Sequence, residues 1–255
     1  KKGETPLLLA CKNEYCSIDE IRALLERKAN VNDTDQNGET PLLLACKKND
    51  ELAIKVLLEH NVDVNVRDPN GQTPLHFACK KRYYSKDVIR ALLEHKANVH
   101  VSDKRGQTPL HLACVYNKKD VIRLLLEHKA NVNGTDLNGQ TPLHIVCKNE
   151  YCSIDEIRAL LERKANVNDT DQNGETPLLL ACKGPYSDDI IKALIENKAN
   201  VNVSDQKSQT PLHLACVYNK KDVIRLLLEH KANVNGTDLN GQTPLHIVCK
   251  NEYCS

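Results

Sequence analysis

Apolar residues along this chain come in two short helical bursts per cycle. In residues 103–135, DKRGQTPLHLACVYNKKDVIRLLLEHKANVNGT, the first burst is Leu110, Leu112, Ala113 and Cys114, and the second is Val121, Ile122, Leu124, Leu125 and Leu126. The second set is too wide for one narrow stripe, which predicts a helix packed against neighbours on more than one side. Polar punctuation separates the bursts. Asp103 and Gly106 carry turn chemistry. Thr108 is placed to cap the first helix with Pro109 as its opening residue, where a missing N–H costs nothing. Asn117 tolerates left-handed geometry and lets the chain reverse into the second helix.

The same cycle runs through the whole sequence. Thr-Pro recurs at Thr5, Thr40, Thr73, Thr108, Thr141, Thr176, Thr210 and Thr243, in steps of 33 to 35 residues. A period near 33 predicts a stacked array of like units. The units fall at about 1–34, 35–67, 68–102, 103–135, 136–170, 171–204 and 205–237, with a partial one at 238–255, all in a single array spanning 1–255. One such unit has too few apolar side chains to offset the entropy of ordering itself, so each must lean on the next. The longer units insert two residues between the helices, where Ser17 with Glu20 and Ser153 with Glu156 fit a capping box.

Thr108-Pro109-Leu110-His111-Leu112-Ala113, followed by Leu-Leu and Ala-Asn-Val-Asn, strongly resembles the ankyrin repeat, and the resemblance covers all 255 residues. It implies an all-α solenoid of stacked helix-turn-helix units with projecting β-hairpin loops, the hairpins and first helices lining a concave face that receives a protein partner. Two departures stand out. Where the family has Gly just after the second helix, this chain has Lys28, Asn61, Lys96, Lys129, Lys164, Lys198 and Lys231. In a left-handed conformation each Lys costs up to about 1–2 kcal/mol, offset in part by about 0.3–1 from a cation beside a helix C-terminus. Repeats one, two and six read Thr-Pro-Leu-Leu (Leu8, Leu43, Leu179), which is expected to remove a polar network and add apolar contact. Residues 11–47 reappear unchanged as 147–183, and 107–153 as 209–255. The chain starts inside a hairpin and stops ahead of a second helix, so the array is expected to continue both ways.

Composition narrows the class further. Thirty-five basic against thirty-four acidic residues leave a net charge of +1, so no global field marks the chain for nucleic acid or an anionic membrane. No apolar run reaches the roughly 20 residues of a membrane helix. Of eleven cysteines, eight occupy one equivalent place in the repeat: Cys11, Cys46, Cys79, Cys114, Cys147, Cys182, Cys216 and Cys249. They read as small buried hydrophobes in a reducing compartment, and the expectation is an intracellular, cytoplasmic protein.

Chemistry is sparse. His-x-x-Cys occurs five times, at His76/Cys79, His111/Cys114, His144/Cys147, His213/Cys216 and His246/Cys249. The spacing puts both on one helical side, yet a zinc site needs three or four ligands and this His belongs to the repeat framework, so no metal is expected. No catalytic constellation and no Gly-rich phosphate loop stand out, so the chain reads as no enzyme, without cofactor or small-molecule substrate.

Function is therefore sought where the repeats differ. The last turn of the first helix forms a lysine ladder, including Lys47, Lys48, Lys80 and Lys81, broken by Val115-Tyr116 and Val217-Tyr218. Tyr116 and Tyr218 are the leading anchors, each a rigid apolar body with a hydroxyl. Leu137 and Leu239 add apolar side chains at hairpin tips, and Tyr83 and Tyr84 form a second aromatic pair in a lengthened turn. The reading is a protein–protein interaction scaffold whose partner carries an acidic or mixed segment. A mechanical spacer or tether in a longer array is the first alternative. Nucleic-acid binding along the lysines is the second, opposed by the balanced charge and by Asp50, Glu51 and Asp120.

Overall fold

Each repeat opens on a threonine that ends an extended segment and starts a helix. Thr40 sits at φ −88°, ψ 164°, its hydroxyl accepts the Leu43 amide at 3.3 Å, and Pro41 is the first helical residue. Thr176 does the same for Leu179. The helix is short because Asn49, Asn117 and Asn219 turn it off in the left-handed conformation, at φ 67°, 51° and 51°. The second helix starts on its own cap. Ser17 and Glu20 exchange backbone and side-chain hydrogen bonds at 3.2 and 3.3 Å, the capping box expected there.

The computed structural model describes residues 4–13, 17–80, 85–184 and 188–250. Among these are fifteen helices and no strand, divided between two compact units, Lys1–Asn131 and Val132–Ser255. The first unit holds α1 (Pro6–Lys12), α2 (Ile18–Glu26), α3 (Pro41–Lys48), α4 (Glu51–Leu58), α5 (Pro74–Lys80), α6 (Lys86–Glu94), α7 (Pro109–Val115) and α8 (Lys119–Glu127). The second holds α9 (Pro142–Lys148), α10 (Ile154–Glu162), α11 (Pro177–Lys183), α12 (Asp188–Glu196), α13 (Pro211–Val217), α14 (Lys221–Glu229) and α15 (Pro244–Lys250).

Within each unit the helices form two layers. First helices stack in chain order, α1 on α3, α5 and α7, and separately α9 on α11, α13 and α15. Second helices do likewise, α2 on α4, α6 and α8, and α10 on α12 and α14. The core lies between the layers, built from residues such as Leu42, Leu57, Leu75, Ile89 and Leu92, all fully buried.

The second helices end as their lysines require. Lys28 takes φ 63°, donating its N–H to Leu25 O at 2.8 Å while the Ala29 N–H reaches Leu24 O at 3.0 Å. This pair of bonds satisfies carbonyls that a helix end would otherwise leave open. An asparagine two turns on ties neighbouring repeats: Asn65 accepts the Asn98 amide at 2.8 Å and donates to Lys96 O at 3.3 Å. Asn168 makes the same two bonds with Asn200 and Lys198.

The projecting loops differ from the hairpins expected. Asp103 N–H donates to Gln107 O at 2.9 Å, but the Gln107 N–H turns to the Asp103 side chain at 3.0 Å, and the Arg105 N–H joins it at 2.8 Å. Diverting one of the two reciprocal backbone bonds to a carboxylate leaves a closed turn in place of a strand pair. Gly106 completes the turn at φ 74°.

Candidate functional site

The turn tips sit side by side within each unit. Lys104 N–H donates to Asn70 O at 2.8 Å in the first unit, and Leu239 N–H donates to Lys207 O at 3.1 Å in the second. The buried turn aspartate points back toward the last turn of the preceding first helix, where the lysine ladder stands. What it finds there depends on one residue, the glutamate or glutamine just ahead of the Thr-Pro pair.

Where that residue is Glu, the lysine is consumed. Lys12 pairs with Asp35 at 2.8 Å and Glu4 at 3.6 Å. Lys47 pairs with Glu39 and, at 3.6 Å, with Asp68, while its ammonium lies 5.1 Å from the centre of the Phe77 ring. Lys183 pairs with Glu175 and, at 3.0 Å, with Asp205. Burial would push Asp205 up, but Lys183 and the Gln209 and Lys207 amides outweigh it and hold the carboxyl below its ordinary value. The repeats that lack the framework histidine thus keep a polar link in a new place. Their Leu8, Leu43 and Leu179 are fully buried, and the lysine carries the inter-repeat bond.

Where the residue is Gln, the amide takes over. Gln72 Nε2 donates to Asp103 Oδ2 at 3.1 Å, and Gln140 Nε2 to Asp171 Oδ2 at 3.3 Å. Lys80 and Lys148, at the corresponding helix ends, remain exposed.

Lys48 also serves the fold. Its ammonium donates to Cys11 O at 3.0 Å and Asn13 O at 2.8 Å, closing the C-terminal end of α1. Lys220 does the same for α11 through Ala181 O at 3.3 Å and Gly184 O, and burial pushes its pKa down.

The Val-Tyr steps are placed differently. Tyr116 follows α7 directly, its N–H donating to Leu112 O at 3.1 Å, and its side chain is 39% exposed. Tyr218 follows α13 in the same conformation and is 52% exposed. Val115 and Val217 beside them are exposed as well. In the first unit Val115, Tyr116 and Lys80 meet the turn tips around a cavity of about 320 Å³, whose wall includes Asn70, Gln72, Lys104 and Arg105. Lys47 and Lys48 are not part of that wall. Leu137 and Leu239 stand at tips in the second unit, 65% and 72% exposed. Lys81, Tyr83 and Tyr84 lie outside the described residues. Lys104 and Arg105 escaped the sequence reading, and Gln72, which leaves Lys80 without a carboxylate partner among the described residues, was the signal for this site.

The histidines are spent on stacking. Thr73 N–H donates to His76 Nδ1 at 3.1 Å, so that nitrogen accepts and Nε2 carries the proton, which it donates to Gln107 O of the next repeat at 3.1 Å. His144 and His213 repeat the arrangement with Glu175 O and Gln242 O, both at 3.0 Å. Both ring nitrogens are thereby occupied. Burial pushes the Cys79 and Cys182 thiols up to about 12, far from the thiolate a metal or an electrophile needs. Among the described residues no group of three or more metal-ligating side chains forms.

A family model described as ankyrin repeats (3 copies) matches residues 1–68, 53–136, 130–205 and 184–255. A search of curated proteins returned no match.

Proposed function

We propose, from the premise that this chain belongs to the ankyrin-repeat family, that it is a protein-interaction scaffold anchored on its partner by Val115-Tyr116 and Val217-Tyr218. Ankyrin repeats are generally protein–protein interaction modules and typically non-enzymatic. Among the described residues no helix is long and apolar enough to cross a membrane.

One observation carries the reading: a tyrosine and a valine stand exposed at the end of α7 and again at the end of α13. The second repeat puts Lys47 and Lys48 there, bound into the fold. A half-exposed tyrosine supplies a large rigid contact with little entropy to lose, the profile of an interface anchor. The turn-tip leucines Leu137 and Leu239 extend the apolar surface within the second unit, and Lys80 orients an acidic or mixed partner segment.

Against nucleic-acid binding stands the use of Lys12, Lys47 and Lys183 in ion pairs and of Lys48 on a helix end, which leaves Lys80 and Lys148 exposed but breaks the ladder between them. A spacer that binds nothing is the remaining rival. The test is capture of partner by the intact chain and by a Tyr116→Ala, Tyr218→Ala double variant. Loss of two anchors of about 2 kcal/mol each should weaken binding more than a hundredfold, with circular dichroism unchanged. A folded double variant that retains its partner at undiminished affinity rejects the reading.

A further inference from the structure

The two Val-Tyr anchors lie in stretches of identical sequence, 107–153 and 209–255, yet the repeat ahead of each differs. That difference falls on charge. Around Tyr116 stand three cations, Lys80, Lys104 and Arg105, against one carboxylate, Asp103. The Asp103 oxygens already accept the Arg105 and Gln107 amides and the Gln72 side chain. None of the three cations pairs with a carboxylate among the described residues. At the corresponding positions near Tyr218 stand Lys183 and Lys207 against Glu175 and Asp205, with Gln206 where the first site has Lys104. There Lys183 is locked to both carboxylates.

Resting on the interaction reading above, we infer that the first-unit site selects an acidic protein segment, one that places carboxylates on Lys80, Lys104 and Arg105 and an apolar side chain against Val115 and Tyr116. The second-unit site shares the apolar anchor and lacks the charge preference. The chain thus offers the same Val-Tyr anchor twice, in surroundings of two polarities. Its near-zero net charge conceals this, because the excess of cations is local.

The test uses the intact chain and two dye-labelled decapeptides with a central leucine, one rich in glutamate and the other with every glutamate replaced by glutamine. Anisotropy titrations at low and high salt should show the acidic peptide binding tighter, with one high-affinity site per chain and an affinity that falls as salt rises. Lys104→Gln, which installs the residue found in the second unit, should weaken the acidic peptide about three- to fivefold and leave the glutamine peptide unchanged. The reverse exchange, Glu175→Gln with Gln206→Lys, should raise the stoichiometry for the acidic peptide from one to two. Equal affinity for the two peptides, indifference to Lys104→Gln, an unchanged stoichiometry after the reverse exchange, or no binding of the acidic peptide up to about 1 mM overturns the inference. Tyr116→Ala separates the two readings. If it weakens both peptides while the charge series stays flat, the anchor stands and the acidic preference falls; if it weakens neither, the anchor itself falls.

Discussion

Ser208 and the lysines that close the second helices hold left-handed backbone, φ 58° at Ser208 and 62° at Lys129, where glycine serves at Gly71 and Gly139. A Cβ in that region crowds the following carbonyl, so Ser208→Gly and Lys129→Gly should each stabilise the chain by about 1 kcal/mol, read as a higher denaturant midpoint. The opposite change separates strain from crowding. Gly38→Ala meets nothing within 4 Å and bears only the backbone penalty, whereas Gly139→Ala brings its Cβ to 3.1 Å from the Gln172 amide and should cost more. Histidine sets the pH response. Burial, outweighing the Gln107 and Glu175 carbonyls they bond, pushes His76 and His144 below the ordinary 6.5. The folded chain then binds fewer protons than the unfolded one between those lowered values and 6.5. Stability is therefore full above that range and falls as the pH drops through it. Thermal unfolding between about pH 7.5 and 5.5 should show a falling midpoint, and His144→Leu, borrowing the residue of the other repeats, should flatten the slope.

At the scale of an element, one heptapeptide, Pro-Leu-Leu-Leu-Ala-Cys-Lys, makes up α1 and α11 and opens α3, with different surroundings. Flanked on both sides within their units, α3 and α11 bury six of the seven residues, while α1, flanked by α3 alone among the described first helices, leaves Leu9 48% exposed where its counterpart Leu44 is 7% exposed. Burial here belongs to the neighbour more than to the sequence. Leu44→Ala should cost about 2–4 kcal/mol and Leu9→Ala under about 1, measured by chemical denaturation. The same contrast marks what could be read in advance. Threonine caps, the Asn117 reversal, the Ser17–Glu20 box and the left-handed lysines were legible, because each is decided within a few residues of chain. The ion pair of Lys47 with Asp68 was not, since its partner arrives only when the next repeat stacks. The absence of strands in the projecting loops turned on Asp103 competing for one amide, a contest that turn composition does not reveal.

For the whole molecule, function was less legible than fold. Periodicity explains every position that recurs and is silent about those that do not, so Tyr116 and Tyr218 stood out while Lys104 and Arg105 blended into an ordinary polar turn. The proposal that they bind rests on a difference visible only in the stacked repeats, where Gln72 takes the place beside Asp103 that Lys47 and Lys183 take beside Asp68 and Asp205. Stacking by immediate neighbours also has an evolutionary corollary. Because 209–255 restates 107–153 letter for letter, unequal crossing-over between the two tracts would excise or insert three repeats at a stroke without creating a peptide junction the chain does not already contain. Reach and valency are then heritable quantities that change in whole steps, each new length arriving with its joints already proven.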